Sequence, residues 1–188
     1  MKFQRYIKIT KINHKKNTMN YLTINEEKNI ETVKALNTLL ADYHVYYQNL
    51  RNFHWNILGE NFFELHEKFE ELYTDARVKI DEIAERILTL RHHPVSTMKD
   101  YLEISNINEA KSNLTDKEMV SYLLENHAII IKQMMETVKT ADDAGDEGTI
   151  DLIGAYIREL EKTSWMLNAF NTSTKAELKS VEVETSNA

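Results

Sequence analysis

FHWNILGENFFELHEKFEELYTDARVKIDEIAERI, residues 53–87, holds the end of one helical pattern and most of a second, with Leu58-Gly59 as the break between them. After the break, Phe62, Leu65, Phe69, Leu72, Ile80, Ile83, Ala84 and Ile87 recur at intervals that put them on one helical face. The pattern predicts a helix from near Asn61 to Arg91, stopped by His92-His93-Pro94. Before the break, Ile30, Val33, Leu36, Leu39, Leu40, Tyr43, Tyr47 and Leu50 repeat at three and four. They predict a first helix of about 30 residues, with Asn25 as N-cap and Glu26 and Glu27 in the first turn, where the helix dipole favours negative charge.

Downstream, residues 94–113 form a connection too long for a turn, with one apolar patch, Met98-Lys99-Asp100-Tyr101-Leu102, that reads as a short helix. Thr115-Asp116-Lys117-Glu118 has the form of a capping box and launches a third helix through Met119, Leu123, Leu124, Ala128, Ile131, Met135 and Val138. An acidic break at Asp142-Asp143-Ala144-Gly145 separates it from a fourth helix, from about Asp146 to Phe170. Two short connections around one long crossover are the plan of a ferritin-like four-helix bundle. The expected organisation is an all-α bundle over residues 25–170, a basic extension over 1–24 and a polar tail over 171–188.

Composition agrees. The 188 residues are 42% apolar and 28% charged, with 4 Gly and 1 Pro, which leaves few helix breakers. The absence of Cys rules out disulfides and thiolate metal sites, so a metal here is held by imidazole and carboxylate, which suits iron or zinc. No apolar run approaches the roughly 20 residues that span a bilayer, and no signal-peptide pattern opens the chain; a cytoplasmic location is expected. The net charge of -7 is unevenly spread. Residues 1–24 carry Lys2, Arg5, Lys8, Lys11, Lys15 and Lys16 and no acid, while the remainder holds 17 cations against 30 acids. The body repels nucleic acid and the arm attracts it.

The predicted second helix carries a set of metal-ligand side chains. His66 and Glu70 are an i, i+4 pair, and so are Asp81 and Glu85. Each pair can grip one metal from adjacent turns. The eleven residues from Glu70 to Asp81 return to nearly the same face, about 16 Å further along the axis. Metal–ligand bonds are about 2 Å long, so one helix cannot bring both pairs to one ion. Two antiparallel copies can. The His66–Glu85 and Glu70–Asp81 spacings share a centre between residues 75 and 76, and a two-fold axis there sets one chain's first pair against its partner's second, giving two equivalent sites. His54 completes each site if the turn after the first helix folds it over His66. Glu-x-x-His, the motif of ferritin sites within a single bundle, occurs nowhere. Taken singly, each position reads more simply as a solvated acid or a satisfied core histidine; the symmetry of the set outweighs that reading.

Asn52-Phe53-His54-Trp55-Asn56, Phe63-Glu64-Leu65-His66-Glu67-Lys68-Phe69, Asp81-Glu82-Ile83-Ala84-Glu85-Arg86-Ile87 and the final Trp165-Met166-Leu167-Asn168-Ala169-Phe170 resemble the signature of the Dps family of mini-ferritins, the DNA-binding proteins from starved cells. The resemblance covers about residues 25–171. It implies a hollow homododecamer built from two-fold dimers. It also implies a ferroxidase centre holding at most two irons, with His54, His66 and Glu70 from one subunit and the partner subunit's Asp81 and Glu85. Fe(II) is the substrate, oxidised to Fe(III) preferentially with hydrogen peroxide; the ferric product is stored inside, and the cell is protected from oxidative damage. Many members carry Asp at the position of Glu70.

The resemblance also implies three-fold pores through which iron passes, assigned here to Asp146, Glu147 and Asp151, with Asp142 and Asp143 as rim charges. Trp55 reads equally as a scavenger of oxidising equivalents and as core packing. The basic arm binds DNA without sequence preference, or else belongs to a start placed upstream of Met19. His14, His44, His127 and the His92-His93 pair lack partners at ligand spacing and are read as structural.

Overall fold

Each long helix begins and ends where local chemistry dictates, with three departures from the sequence pattern. The computed structural model describes residues 21–172, which form α1 (Ile30–Asn56), α2 (Phe62–Thr89), α3 (Met98–Ile104), α4 (Asp116–Ala144) and α5 (Glu147–Asn171). The basic residues of the arm, His14 and the tail beyond residue 172 lie outside the described residues.

The first departure is the start of α1. The Asn25 side chain accepts from the backbone N–H of Glu27 (3.1 Å) and Lys28 (3.2 Å), closing a turn, and the helix starts only at Ile30. Asn25 therefore caps a turn and not a helix, because its carboxamide competes for the same amides. The second is the end of α2, two residues short of the expected Arg91. Arg91 adopts a left-handed conformation (φ 68°) and the His92 N–H reaches back to the Ile87 carbonyl at 3.1 Å, a helix stop made without glycine. The third is α4, which continues through the acidic run to Ala144. Gly145, at φ 73°, ends it in the left-handed region, and the Asp146 N–H returns to the Ala141 carbonyl at 2.8 Å. The capping box that opens α4 is formed: Thr115 Oγ1 accepts from the Glu118 N–H (3.3 Å) and the Glu118 carboxylate accepts from the Thr115 N–H (2.8 Å).

α1 is the central helix, packed on α2, α3 and α4, while α4 packs on α5. Its Leu36, Leu39, Leu40, Leu50 and Phe53 are fully buried against Phe69, Ile83 and Ile87 of α2 and Met119, Leu123 and Ile130 of α4. The long crossover is tied to α1 by side chains that satisfy its backbone. Asn37 accepts from the Val95 N–H at 2.8 Å, and Asp42 from the Asn106 N–H at 2.6 Å and the Ser105 hydroxyl at 2.9 Å. Asn49 accepts from the Ala110 N–H at 2.8 Å, and Asn52 donates to the Ala110 carbonyl at 2.9 Å. Burial raises the Asp42 carboxyl against the lowering effect of these hydrogen bonds. Stitched down α1 in this way, the crossover delivers α4 to the end of the bundle where α2 begins: Asn61, before α2, bonds Asp116, at the start of α4.

The seam between α2 and α5 is polar. Arg86 meets Asp146, Glu82 accepts from Tyr156, and the buried Lys79 ammonium lies between Asp75 (2.5 Å) and Glu159 (2.9 Å) over the Tyr156 ring. Beyond Lys79 the seam opens into a groove of about 640 Å3 lined by Leu65, Leu72, Met166 and Phe170.

Candidate metal centre

The two histidines meet where α1 turns into α2. His54 lies in the last turn of α1, where backbone carbonyls have no helical partner, and its carbonyl accepts from His66 Nδ1 at 2.9 Å. The His66 carbonyl in turn accepts from His54 Nδ1 at 2.8 Å. The rings stack with centroids 3.8 Å apart and planes 24° from parallel, and Phe62 stacks on the outer face of His66 at 5.0 Å. A carbonyl only accepts, so both Nδ1 atoms donate, and in a neutral imidazole held this way the lone pair is on Nε2. Ligand histidines in metal sites are commonly oriented in this manner, one ring nitrogen donating to a carbonyl and the other facing the metal. The turn between α1 and α2 thus folds His54 over His66, as the ligand spacing requires.

Glu70 stands one turn beyond His66 on α2, exposed, and its carboxylate accepts from the Tyr73 hydroxyl at 3.2 Å. Partial burial and the Glu70 charge raise the Tyr73 phenol, which keeps it a donor. The Tyr73 ring is edge-on to His54 (5.3 Å, 83°) and to Tyr47 (6.0 Å, 89°). Asp81 and Glu85 are exposed further along α2. Among the described residues of one chain, no three His, Asp or Glu side chains converge on one metal position. The structure therefore brings His54 and His66 together, holds Glu70 one turn beyond His66 and in contact with Tyr73, and leaves Asp81 and Glu85 exposed.

Tyr73 is the neighbour that spacing arguments passed over; its only sequence signal is its i, i+3 relation to Glu70. Trp55 is 59% exposed and carries the Arg51 guanidinium on its face at 4.6 Å, so it is not part of this chain's core. Of the acidic turn, Glu147 and Asp151 are exposed, one turn apart on α5. Asp146 departs from the pore role expected of it. It is buried as the N-cap of α5, accepting from the Thr149 N–H at 3.1 Å, and Arg86 donates to its carboxylate and to Thr149 Oγ1 (2.9 Å). These partners engage both of its carboxylate oxygens. Asp142 and Asp143 lie exposed in the last turn of α4, where the helix dipole disfavours negative charge.

Of the remaining described histidines, His127, His44 and His92 have structural partners and His93 is exposed. His127 accepts from the Tyr46 hydroxyl at Nε2 (2.7 Å) and donates from Nδ1 to Ser164 Oγ (2.8 Å); burial lowers its pKa to about 4. His44 stacks on Tyr101 at 3.9 Å, and His92 Nδ1 bonds the Leu90 carbonyl at 2.8 Å. No helix among the described residues is long and apolar enough to cross a membrane.

Residues 33–176 match the ferritin-like domain family. Over 142 residues the chain is 45% identical to DNA protection during starvation protein 2 of Bacillus anthracis, a span that covers 76% of this chain and 97% of that one. It is 39% identical over 140 residues to general stress protein 20U of Bacillus subtilis, 74% of this chain and 97% of that. Among solved structures, the Dps protein of Vibrio cholerae O1, described as a member of a broad superfamily of ferritin-like diiron-carboxylate proteins, superposes with a TM-score of 0.79. It shares 43% identity, over 82% of this chain and 97% of that one. A Dps protein from Bacillus brevis superposes with a TM-score of 0.75 at 41% identity, over 77% and 97%. Likeness of this degree, spanning nearly the full length of those relatives and extending to the same helical bundle, makes this chain a member of the Dps family of ferritin-like proteins.

Proposed function

We propose that the chain is the subunit of a dodecameric shell that oxidises Fe(II) at centres shared between two-fold-related subunits, preferentially with hydrogen peroxide, and stores the ferric product. The observation that carries this reading is the reciprocal bonding of His54 and His66, which fixes two imidazoles through Nδ1 and leaves both Nε2 atoms available to a metal. Such a pair, with the Glu70 carboxylate one turn away, is half of a nitrogen–oxygen donor set suited to Fe(II). The other half comes from the partner subunit's Asp81 and Glu85. Exposed apolar side chains on α2 support the pairing: Phe63 (78% exposed) and Leu88 (51%) are equidistant from the same centre between residues 75 and 76. The axis that joins the ligand pairs therefore also buries Phe63 of one chain against Leu88 of the other.

The reaction balances as two Fe(II), one hydrogen peroxide and two protons giving two Fe(III) and two waters. Passing two electrons together avoids releasing hydroxyl radical. Carboxylate ligands favour the more highly charged ferric product, and a set of few protein ligands leaves coordination positions open to the oxidant. Glu147 and Asp151, with Asp142 and Asp143 nearby, are proposed to gather Fe(II) at the pores; the exposure of all four carboxylates, and the retention of Asp142 and Asp143 where the α4 dipole opposes them, support a cation-collecting role. Asp146 is left to its structural task.

Stopped-flow oxidation of Fe(II) by peroxide tests the reading. His54→Ala/His66→Ala should lose the rapid phase, by at least about a hundredfold, consistent with loss of metal ligation. A double variant as fast as the native shell would refute it.

A second reading is favoured by the DNA-protection names of relatives such as the Bacillus anthracis protein and by the six cations of residues 1–20. Twelve such arms bind DNA through phosphate neutralisation, strongly at low salt and weakly at high salt. Gel-shift assays comparing the full chain with one beginning at Met19 separate the two: arm-dependent binding disappears in the shorter form.

A further inference from the structure

Tyr73 touches two of the candidate ligands at once and belongs to neither pair. Its hydroxyl donates to Glu70 Oε1 at 3.2 Å, while its ring is wedged edge-on between His54 and Tyr47. Both ring contacts come from α1, so the helix that carries His54 also fixes where the phenol points. Glu70 has no other polar partner among the described residues of its own chain and stands exposed, with few contacts to restrict its rotamers. A glutamate loses more rotamer freedom than an aspartate when it is held at one position, because it has one more rotatable bond. The phenol supplies what the longer side chain lacks. It engages one carboxylate oxygen and leaves the other free, on the side of α2 that carries the His54–His66 pair.

We propose that Tyr73 is a positioning residue for the metal site: through its hydroxyl it holds the Glu70 carboxylate beside the two imidazoles, and it is the device by which this chain tolerates glutamate at that position. The inference rests on the ferroxidase reading, since it presupposes that Glu70 ligates. At 3.2 Å the hydrogen bond is long, and it is expected to tighten once Glu70 is drawn toward a cation. The neighbouring Tyr47 has no such role; its ring packs on Tyr73 and carries the Arg51 guanidinium.

The test uses the assembled full-length protein, titrated without oxygen with Co(II) as a spectroscopic stand-in for Fe(II). Heat release and visible absorption report binding at the site independently of turnover. Tyr73→Phe keeps both ring contacts and removes only the hydroxyl. It should raise the Co(II) dissociation constant about tenfold, at the lower end of what loss of a ligand-orienting partner does. Native mass and thermal midpoint should stay unchanged. In a Glu70→Asp background, where the carboxylate is drawn back from the phenol, the same change should alter the constant less than about twofold, as a double-mutant cycle requires of a coupled pair. Wild-type Co(II) binding by Tyr73→Phe, with His54→Ala and His66→Ala both impaired, would overturn the role of Tyr73 and leave the site standing. Equal effects of Tyr73→Phe in both backgrounds would overturn it too, by placing the hydroxyl's action elsewhere. Native binding by all three variants would overturn the site and this inference together.

Discussion

Arg86 lies in the same Asp-x-x-Ala-Glu-Arg run that supplies two candidate ligands, yet its guanidinium turns to the other side of α2 and joins Asp146 and Thr149. Replacing it with Met leaves the buried Asp146 carboxylate without its cation, and loss of one member of a buried pair costs about 3 kcal/mol. Urea unfolding should show that loss as a lower midpoint at unchanged slope. Gly148 lies under the same guanidinium: a Cβ there would come within 3.0 Å of the Arg86 Nη2 atom. Gly148→Ala should therefore destabilise in the same direction by roughly 1 kcal/mol, through overpacking. None of this was legible in the sequence, because the pair is sixty positions apart and forms only when the α4–α5 turn docks on α2. The His54–His66 relation was legible, since a single short turn joins the two helices and ligand chemistry marked both ends.

At the scale of elements, Tyr46, His127 and Ser164 hold α1, α4 and α5 together through one imidazole. His127 is kept neutral by burial, with a folded pKa of about 4 against an ordinary 6.5. Above pH 7 the group is neutral in both states and stability does not depend on it. Below 6.5 the unfolded chain takes up a proton that the folded chain refuses until about pH 4. Stability is thus lost progressively across that window, by on the order of 3 kcal/mol. Unfolding free energies at pH 7 and pH 4.5 should differ accordingly, and His127→Gln should flatten the dependence. The Thr115 capping box gives a second expectation: Thr115→Ala removes a hydroxyl that the Glu118 amide needs, and costs about 1 kcal/mol in the same assay. Element identities followed from apolar periodicity and that box, whereas the start of α1 did not. Asn25 offers the same carboxamide to a turn as to a helix, and only the amides it engages distinguish the two.

At the scale of the whole molecule, the proposed centre is not completed within one chain. The expectation is a native mass near twelve times 22.1 kDa, rising as iron is supplied with peroxide. Leu88→Glu puts a charge on the exposed apolar edge of α2 where the two-fold pair is proposed to close. Analytical ultracentrifugation should show smaller species for it, and the rapid oxidation phase should fall with the same dependence on protein concentration. Unchanged mass together with unchanged kinetics would dismiss the two-fold arrangement. The four-helix plan was readable because it is a periodicity along the sequence; the mirrored spacing of His66, Glu70, Asp81 and Glu85 is also a property of the sequence, and its two-fold pairing is what the proposed function adds. The polar seam between α2 and α5 was not, since Lys79 sits among apolar neighbours in the pattern and its two acids come from different helices.

The reciprocal bond between His54 and His66 also bears on timing. The bond joins the end of one helix to the start of the next within the first half of the chain, so it is complete as soon as that hairpin folds. A newly made subunit then holds two aimed imidazoles with no opposing carboxylates. On the function proposed above, oxidation would begin only when a second subunit closes over them, next to the compartment that would receive the product. Assembly would then work as an interlock, the chemistry being switched on by the same event that builds its container.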